Sequence, residues 1–275
     1  MTLLWWARPN AVPLRPRQSR TKKRSLVASP ATAKDHMSNP SSCRGVVHQA
    51  LLASGIFSKT DPATLSRWST LVRPVRFPAG HIVGARGDFG GCLYVIVSGK
   101  AEVSYRRPGG PEIALTVLGD AEIFGGVPLF DPAACETSIT TLTELLAVPI
   151  ERSQLLTWMA ECSEFSAQVL RLFARWSKAT TSALTEFAFA DVESRVATRL
   201  LWLRKRFGRR EGEAVRIVHD LTLEDFSRLV GVAPETTCAT LREFQDRGWI
   251  HLDENSVVVV DSHALASVPT KSTGG

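Results

Sequence analysis

Between Pro234 and Arg242 the chain carries a carboxylate (Glu235), a hydroxyl (Thr236), a thiol (Cys238), a methyl (Ala239) and a guanidinium (Arg242), at spacings that one face of an α-helix gathers. These groups hydrogen-bond and pack. Glu235 suits a hydrogen bond from a cytosine amino group, and Arg242 suits guanine or a phosphate. A first-turn carboxylate is equally well explained by the helix dipole, which favours negative charge there.

Five cysteines (Cys43, Cys92, Cys135, Cys162, Cys238) include no Cys-x-x-Cys pair and no histidine spacing suited to zinc. Such an odd, scattered set reads as reduced thiols in a cytoplasmic protein, with no metal site. His81 stands alone at a strand end and reads as polar surface, and Cys238 as a small residue. There is no nucleophile elbow, phosphate loop or paired-carboxylate motif. The expectation is no catalytic residue, no enzyme and no cofactor that the sequence can name.

The reading set depends on the elements around it. Thr222, counted with the candidate DNA contacts, is a good N-cap, with Asp225 three residues on to complete a capping box. Phe226, Leu229 and Val230 give the first helix an apolar face, Gly231 breaks it, and Val232-Ala233 turn the chain into a second helix that opens on Pro234. Thr237, Leu241 and Phe244 fall inward at helical spacing, Gly248 ends the helix, and Trp249–Leu252 with Ser256–Val260 predict a two-stranded wing around 253–255. A helix-turn-helix presents the N-terminal residues of its second helix to the major groove, so the expected partner is double-stranded DNA. The charge argues the other way: from Leu221 to Asp261 there are three arginines and eight acids. That balance keeps open a winged helix that meets a protein partner. Arg204-Lys205-Arg206 and Arg209-Arg210 are the cations nearest in sequence that could answer phosphates.

From Ser163 to Phe187 there is neither glycine nor proline, and Phe165, Val169, Leu172, Trp176, Ala179 and Ala183 repeat in steps of four and three. A helix of this length extends about 37 Å, and the stripe predicts a seam with the same helix of a second subunit, giving a homodimer. Leu170, Phe173 and Leu184 form a second edge suited to packing on the sensor domain. Phe189-Ala190-Asp191 reads as the hinge, with Asp191 capping a helix over Val192–Phe207.

Earlier still, 75–155 has apolar runs of four to seven residues separated by Gly and Pro, the rhythm of a β-roll. Its plausible strands are Ile82-Val83, Leu93–Val97, Ala101–Tyr105, Ile113–Val117 and Thr141–Pro149, after a helical lead-in over Val46–Ser54. Residues 1–44 hold nine Lys or Arg against the single acid Asp35, more than the whole-chain surplus of +6, so the remainder is slightly acidic. This tail has no burying period and reads as a disordered basic segment, as does 269–275. Met37 opens a stretch that leads smoothly into the ordered domain, so 1–36 read as an upstream-start extension in preference to a phosphate-seeking arm built on Arg20–Arg24. Hydrophobic residues make up 44% of 275, and no apolar run is long enough to span a membrane.

The run Gly80-His81-Ile82-Val83, Gly87-Asp88, Gly90 and Leu93–Lys100, continued by Gly119-Asp120 and Phe124-Gly125, resembles the cyclic-nucleotide-binding β-roll of the Crp/Fnr family. Thr222 through Thr237, with Leu241-Arg242 and Gly248-Trp249-Ile250, resembles that family's winged helix. The two matches stand in the family's order and together cover 47–262. The resemblance implies an α+β chain: a β-roll (jelly-roll) sensor domain over 45–162, a dimerisation helix and hinge over 163–189, and a winged helix-turn-helix over 190–268. It implies a homodimeric transcription regulator, and RNA polymerase is a further expected partner. Two positions depart from the family. Gly126 stands where cAMP-binding members keep a ribose-binding Glu, and Glu136 where they keep the Arg for the cyclic phosphate. An acid there repels a phosphodiester, so the expected effector is not cAMP. The resemblance implies a pocket at Gly125, Gly126, Val127, Glu136, Thr137 and Ser138 that holds another small-molecule effector through backbone amides and hydroxyls, or one that has degenerated into packing. In the DNA-reading set Glu235 is kept, but Pro234 and Ala239 stand at the two Arg positions, so the operator should differ from that of the cAMP receptor protein.

Overall fold

The computed structural model describes residues 40–84, 91–106, 112–130, 137–218, 220–253 and 256–268. The tails 1–39 and 269–275 lie outside the described residues, as do Glu136 and the glycine turns at 87–90 and 109–110. The chain forms two compact units, one ending at Thr180 and the other beginning at Thr181.

The first unit opens with α1 (Pro40–Ala53) and α2 (Pro62–Ser69). Helix α1 begins six residues before the expected lead-in and inside the expected tail. Helix α2 was not anticipated, although its start is written locally: Asp61 accepts from the Thr64 amide at 2.9 Å, and Pro62 follows at a position where no N–H is needed.

Two four-stranded antiparallel sheets follow. One orders β1 (Val75–Phe77), β8 (Leu145–Glu151), β3 (Cys92–Ser98) and β6 (Ile123–Phe124); the other orders β2 (Ile82–Gly84), β7 (Thr137–Thr141), β4 (Ala101–Arg106) and β5 (Glu112–Leu118). The expected strand Thr141–Pro149 is two strands, because the chain turns at 142–144. Cys92–Ile96 is buried throughout, since β3 is covered on both faces. Its Cys92, Tyr94 and Ile96 face Ala101, Ile139, Leu145 and Ala147 in one core; Leu93 and Val95 enter a second core against helices. In the second core Trp68 stacks on Trp158 at 4.8 Å and Phe57 on Phe165 at 4.9 Å. A short α3 (Gly126–Phe130), α4 (Arg152–Glu161) and the start of α5 (Ser163–Phe189) complete this unit.

The second unit contains α6 (Val192–Phe207), capped as expected by Asp191, which accepts from the Ser194 amide at 2.8 Å. A hairpin of β9 (Gly208–Glu211) and β10 (Ala214–Val218) comes next, then α7 (Leu223–Val230), α8 (Pro234–Asp246), β11 (Ile250–Leu252), β12 (Ser256–Val259) and α9 (Ser262–Ala266). The expected two-stranded wing is therefore part of a four-stranded sheet ordered β11-β12-β10-β9. The hairpin escaped notice because exposed β9 is Gly-Arg-Arg-Glu and has no apolar alternation; only buried Val215 and Ile217 in β10 carry the period of two.

Candidate nucleic-acid interface and effector pocket

Helices α7 and α8 are held in place by local chemistry. Thr222 Oγ1 accepts from the Asp225 amide at 3.0 Å, and Asp225 accepts from the Thr222 amide at 3.0 Å. The Thr222 hydroxyl also donates to Asp225 at 2.7 Å, so this candidate DNA contact is committed to its own cap. Gly231 ends α7 in the left-handed region at φ 73°, where a side chain is disfavoured, and its amide donates to Ser227 O at 2.8 Å.

Pro234 then starts α8. Thr237, Leu241 and Phe244 are buried, as expected, and Thr237 donates back to Ala233 O at 3.1 Å. Pro234, Glu235, Thr236, Ala239 and Arg242 are exposed together, and Cys238 is half-buried beside them. The helix is anchored at its other end by Arg247, which donates to Glu193 of α6 at 2.6 Å, pairs with Glu243 and lies 4.8 Å from the Trp249 ring centroid. The Glu193 hydrogen bond holds the guanidinium pKa above its usual value. Reading along the sequence did not single out this clamp, because Glu193 lies 54 residues away on α6.

In the wing sheet, Arg216 donates to Glu211 at 2.6 Å, to Ser256 at 2.7 Å and to Asp253. Hydrogen bonding to Arg216 holds the carboxyls of Asp253 and Glu211 below their ordinary range. The basic cluster is split in character. Arg206 is tucked over Trp202 at 4.5 Å, and burial lowers its pKa to about 10, whereas Lys205, Arg209 and Arg210 are exposed. β11 follows α8 at one edge of the sheet and β9 forms the other edge, three inter-strand spacings or about 14 Å away.

The candidate pocket is altered by the structure. A Cβ placed on Gly126 would stand 3.1 Å from Cη2 and 3.2 Å from Cζ3 of Trp176, and 3.2 Å from Leu93 Cδ1. The space that a side chain would take is filled by the long helix's indole. Phe130 meets Phe173 edge-on at 5.4 Å, and Phe173 meets Trp176 at 5.2 Å, extending the aromatic contact across α3. Arg152 fixes the end of α3 by donating to Leu129 O at 2.8 Å. Thr137 and Ser138 do not converge: they are consecutive on β7 and point to opposite faces. Thr137 shares the face of core residue Ile139, while Ser138 is registered against Ser104 on the other face. The Val127 side chain and Glu136 lie outside the described residues.

The expected seam on α5 divides along its length. Phe165, Val169 and Leu172 are buried in their own subunit's core, with Trp176 packed against it. Ala179 is exposed, and the side chain of Ala183 lies outside the described residues. A four-three step serves core packing as well as a coiled coil, so the period alone did not tell which face is free. The outward stripe is Leu170, 67% exposed, followed by exposed Ala174, Ser177 and Thr181.

Among the described residues no three His, Cys, Asp or Glu side chains are grouped to hold a metal ion, and no helix is long and apolar enough to cross a membrane.

Comparison with known proteins places these units. The cyclic nucleotide-binding domain family matches residues 74–162, and the Crp-like helix-turn-helix domain family matches residues 194–268. The chain is 42% identical over 218 residues to the CRP-like cAMP-activated global transcriptional regulator of Mycobacterium tuberculosis, covering 79% of this chain and 97% of that one. It is 27% identical to the cyclic AMP receptor protein of Thermus thermophilus, covering 70% of this chain and 86% of that one. Its fold is similar to FixK2 of Bradyrhizobium japonicum, with TM-score 0.65 at 13% identity over 74% of this chain and 99% of that one. It is likewise similar to the c-di-GMP responsive regulator CLP of Xanthomonas campestris, with TM-score 0.60 at 24% identity over 72% and 99%. The chain belongs to the Crp/Fnr family and is a DNA-binding transcription regulator of the Crp type, not an enzyme.

Proposed function

We propose that this regulator works in the cytoplasm as a homodimer whose two α8 helices read half-sites of double-stranded DNA, with RNA polymerase as a further partner and a small-molecule effector other than cAMP. The observation that carries the effector reading is Trp176 standing where a side chain at Gly126 would lie. A pocket so filled lacks the ribose-binding carboxylate that the family resemblance calls for at this position. The M. tuberculosis relative is named as cAMP-activated, which favours cAMP as the second reading. Calorimetric titration of the full chain with cAMP separates them. No heat at millimolar nucleotide supports the proposal, and saturable micromolar binding overturns it.

The dimer reading rests on the outward stripe Leu170-Ala174-Ser177-Thr181, whose steps of four, three and four suit close approach of a second α5. Sedimentation equilibrium of the full chain should give twice the 30.1 kDa chain mass, and a monomer at all concentrations would contradict it. The acidic surplus around α7 and α8 favours one alternative, a winged helix that binds a protein partner. Duplex selection decides between these two, since a protein-binding winged helix would enrich no sequence.

A further inference from the structure

The exposed face of α8 is poor in hydrogen-bond donors where a helix-turn-helix meets the bases. Its first two turns expose Pro234, Glu235, Thr236 and Ala239, with Cys238 half-buried beside them; Thr236 brings a hydroxyl donor and Cys238 a weak thiol donor. Arg242 lies two turns beyond the first residue, toward the half of such a helix that leaves the base edges. Thr240 and Thr237 are turned inward, the former donating to Thr236 O at 3.0 Å, so neither contributes to this face. Thr236 and Ala239 are three residues apart, neighbours on the helix surface, and each carries a methyl group.

A guanine set against that pair would present two acceptors, N7 and O6, to the single Thr236 hydroxyl and leave one of them without a donor. A thymine would present one acceptor, O4, to that hydroxyl and place its C5-methyl against apolar carbon. Glu235 and Ala239 are four residues apart, about 6 Å along the axis, which is close to two base-pair steps of about 3.4 Å.

We infer that Ala239, together with Thr236, reads thymine methyl groups, so that each half-site holds a thymine within two base-pair steps of the cytosine accepted by Glu235. This rests on α8 being the DNA-reading helix, and it makes the operator one specified partly by methyl contact.

The test replaces each thymine of the duplex recovered by selection, one at a time, with deoxyuracil. That substitution deletes the methyl and keeps the pairing. For the full chain, one or two replacements per half-site should weaken binding about fourfold each, the worth of one buried methyl-sized group; the remaining replacements should have no effect. Ala239→Gly and Thr236→Ser should each abolish the penalty at one of these positions, read as the ratio of each variant's own affinities for the thymine and uracil duplexes. Circular dichroism and thermal melting show that the variants are folded. A duplex tolerant of uracil at every position overturns the inference while leaving base reading by α8 intact. A penalty unchanged in both variants overturns it too. If selection recovers no sequence, base reading itself fails and the inference falls with it.

Discussion

The Trp176 indole is packed tightly against Gly126: Cη2 would lie 3.1 Å from a Cβ on the glycine, closer than a side chain there fits without the ring giving way by a few tenths of an ångström. A residue of the long helix is thereby packed against the position where the family resemblance places a ribose-binding carboxylate. The contact links the sequence departure at Gly126 to the placement of α5.

Gly126→Ala should destabilise the sensor domain by about 1–3 kcal/mol, the usual cost of overpacking. The same change in a Trp176→Ala background should cost much less. A double-mutant cycle by urea unfolding measures this coupling. Additive effects would mean that the two residues do not meet.

Leu170→Glu should dissociate the dimer without unfolding the subunit, since Leu170 is 67% exposed. Val169→Glu, one residue away, should instead cost several kcal/mol of stability because it buries an unpaired charge. Sedimentation and thermal melting of the two variants, side by side, check which face of α5 is free. Equal effects of the two changes would contradict the assignment.

Much of the C-terminal unit was legible in the chain because its signals are local. Thr222 with Asp225, Gly231 and Pro234 each specify a cap or a break by their own chemistry, and the structure forms each of them. The sensor half was legible as a β-roll, but its strand ends were not, since Leu142–Glu144 has no strong breaker. Residues whose roles depend on distant partners stayed hidden. Arg247 needs Glu193 and Trp249; Trp176 needs Gly126; and the periodicity of α5 is the same whether its apolar stripe faces the core or a second subunit.

Thr222→Ala should cost about 1 kcal/mol through loss of the cap. Arg247→Ala should cost a similar amount, about 1 kcal/mol, because its exposed ion pairs contribute little and its stacking on Trp249 adds the rest. Denaturant unfolding followed by tryptophan fluorescence reports both. A loss above about 3 kcal/mol at Arg247 would show a larger role than the geometry supports.

The Arg216 network makes the wing sheet sensitive to acid. Asp253 and Glu211 have folded pKa values held below the ordinary 3.8 and 4.5 by hydrogen bonds from Arg216. Carboxyls lowered on folding contribute stability that is fully present above the ordinary values and lost as pH falls through the lowered ones. Melting temperature should therefore drop below about pH 4, and Arg216→Gln should reduce the slope there. An unchanged slope in the variant would contradict the assignment.

The most direct test of the account is selection of duplexes from a random pool by the full chain, followed by fluorescence anisotropy at two salt concentrations. The account predicts a palindrome with half-sites about one helical turn apart, bound more weakly as salt rises. No enriched sequence, with no binding at low salt, would contradict a dimer that reads DNA through α8.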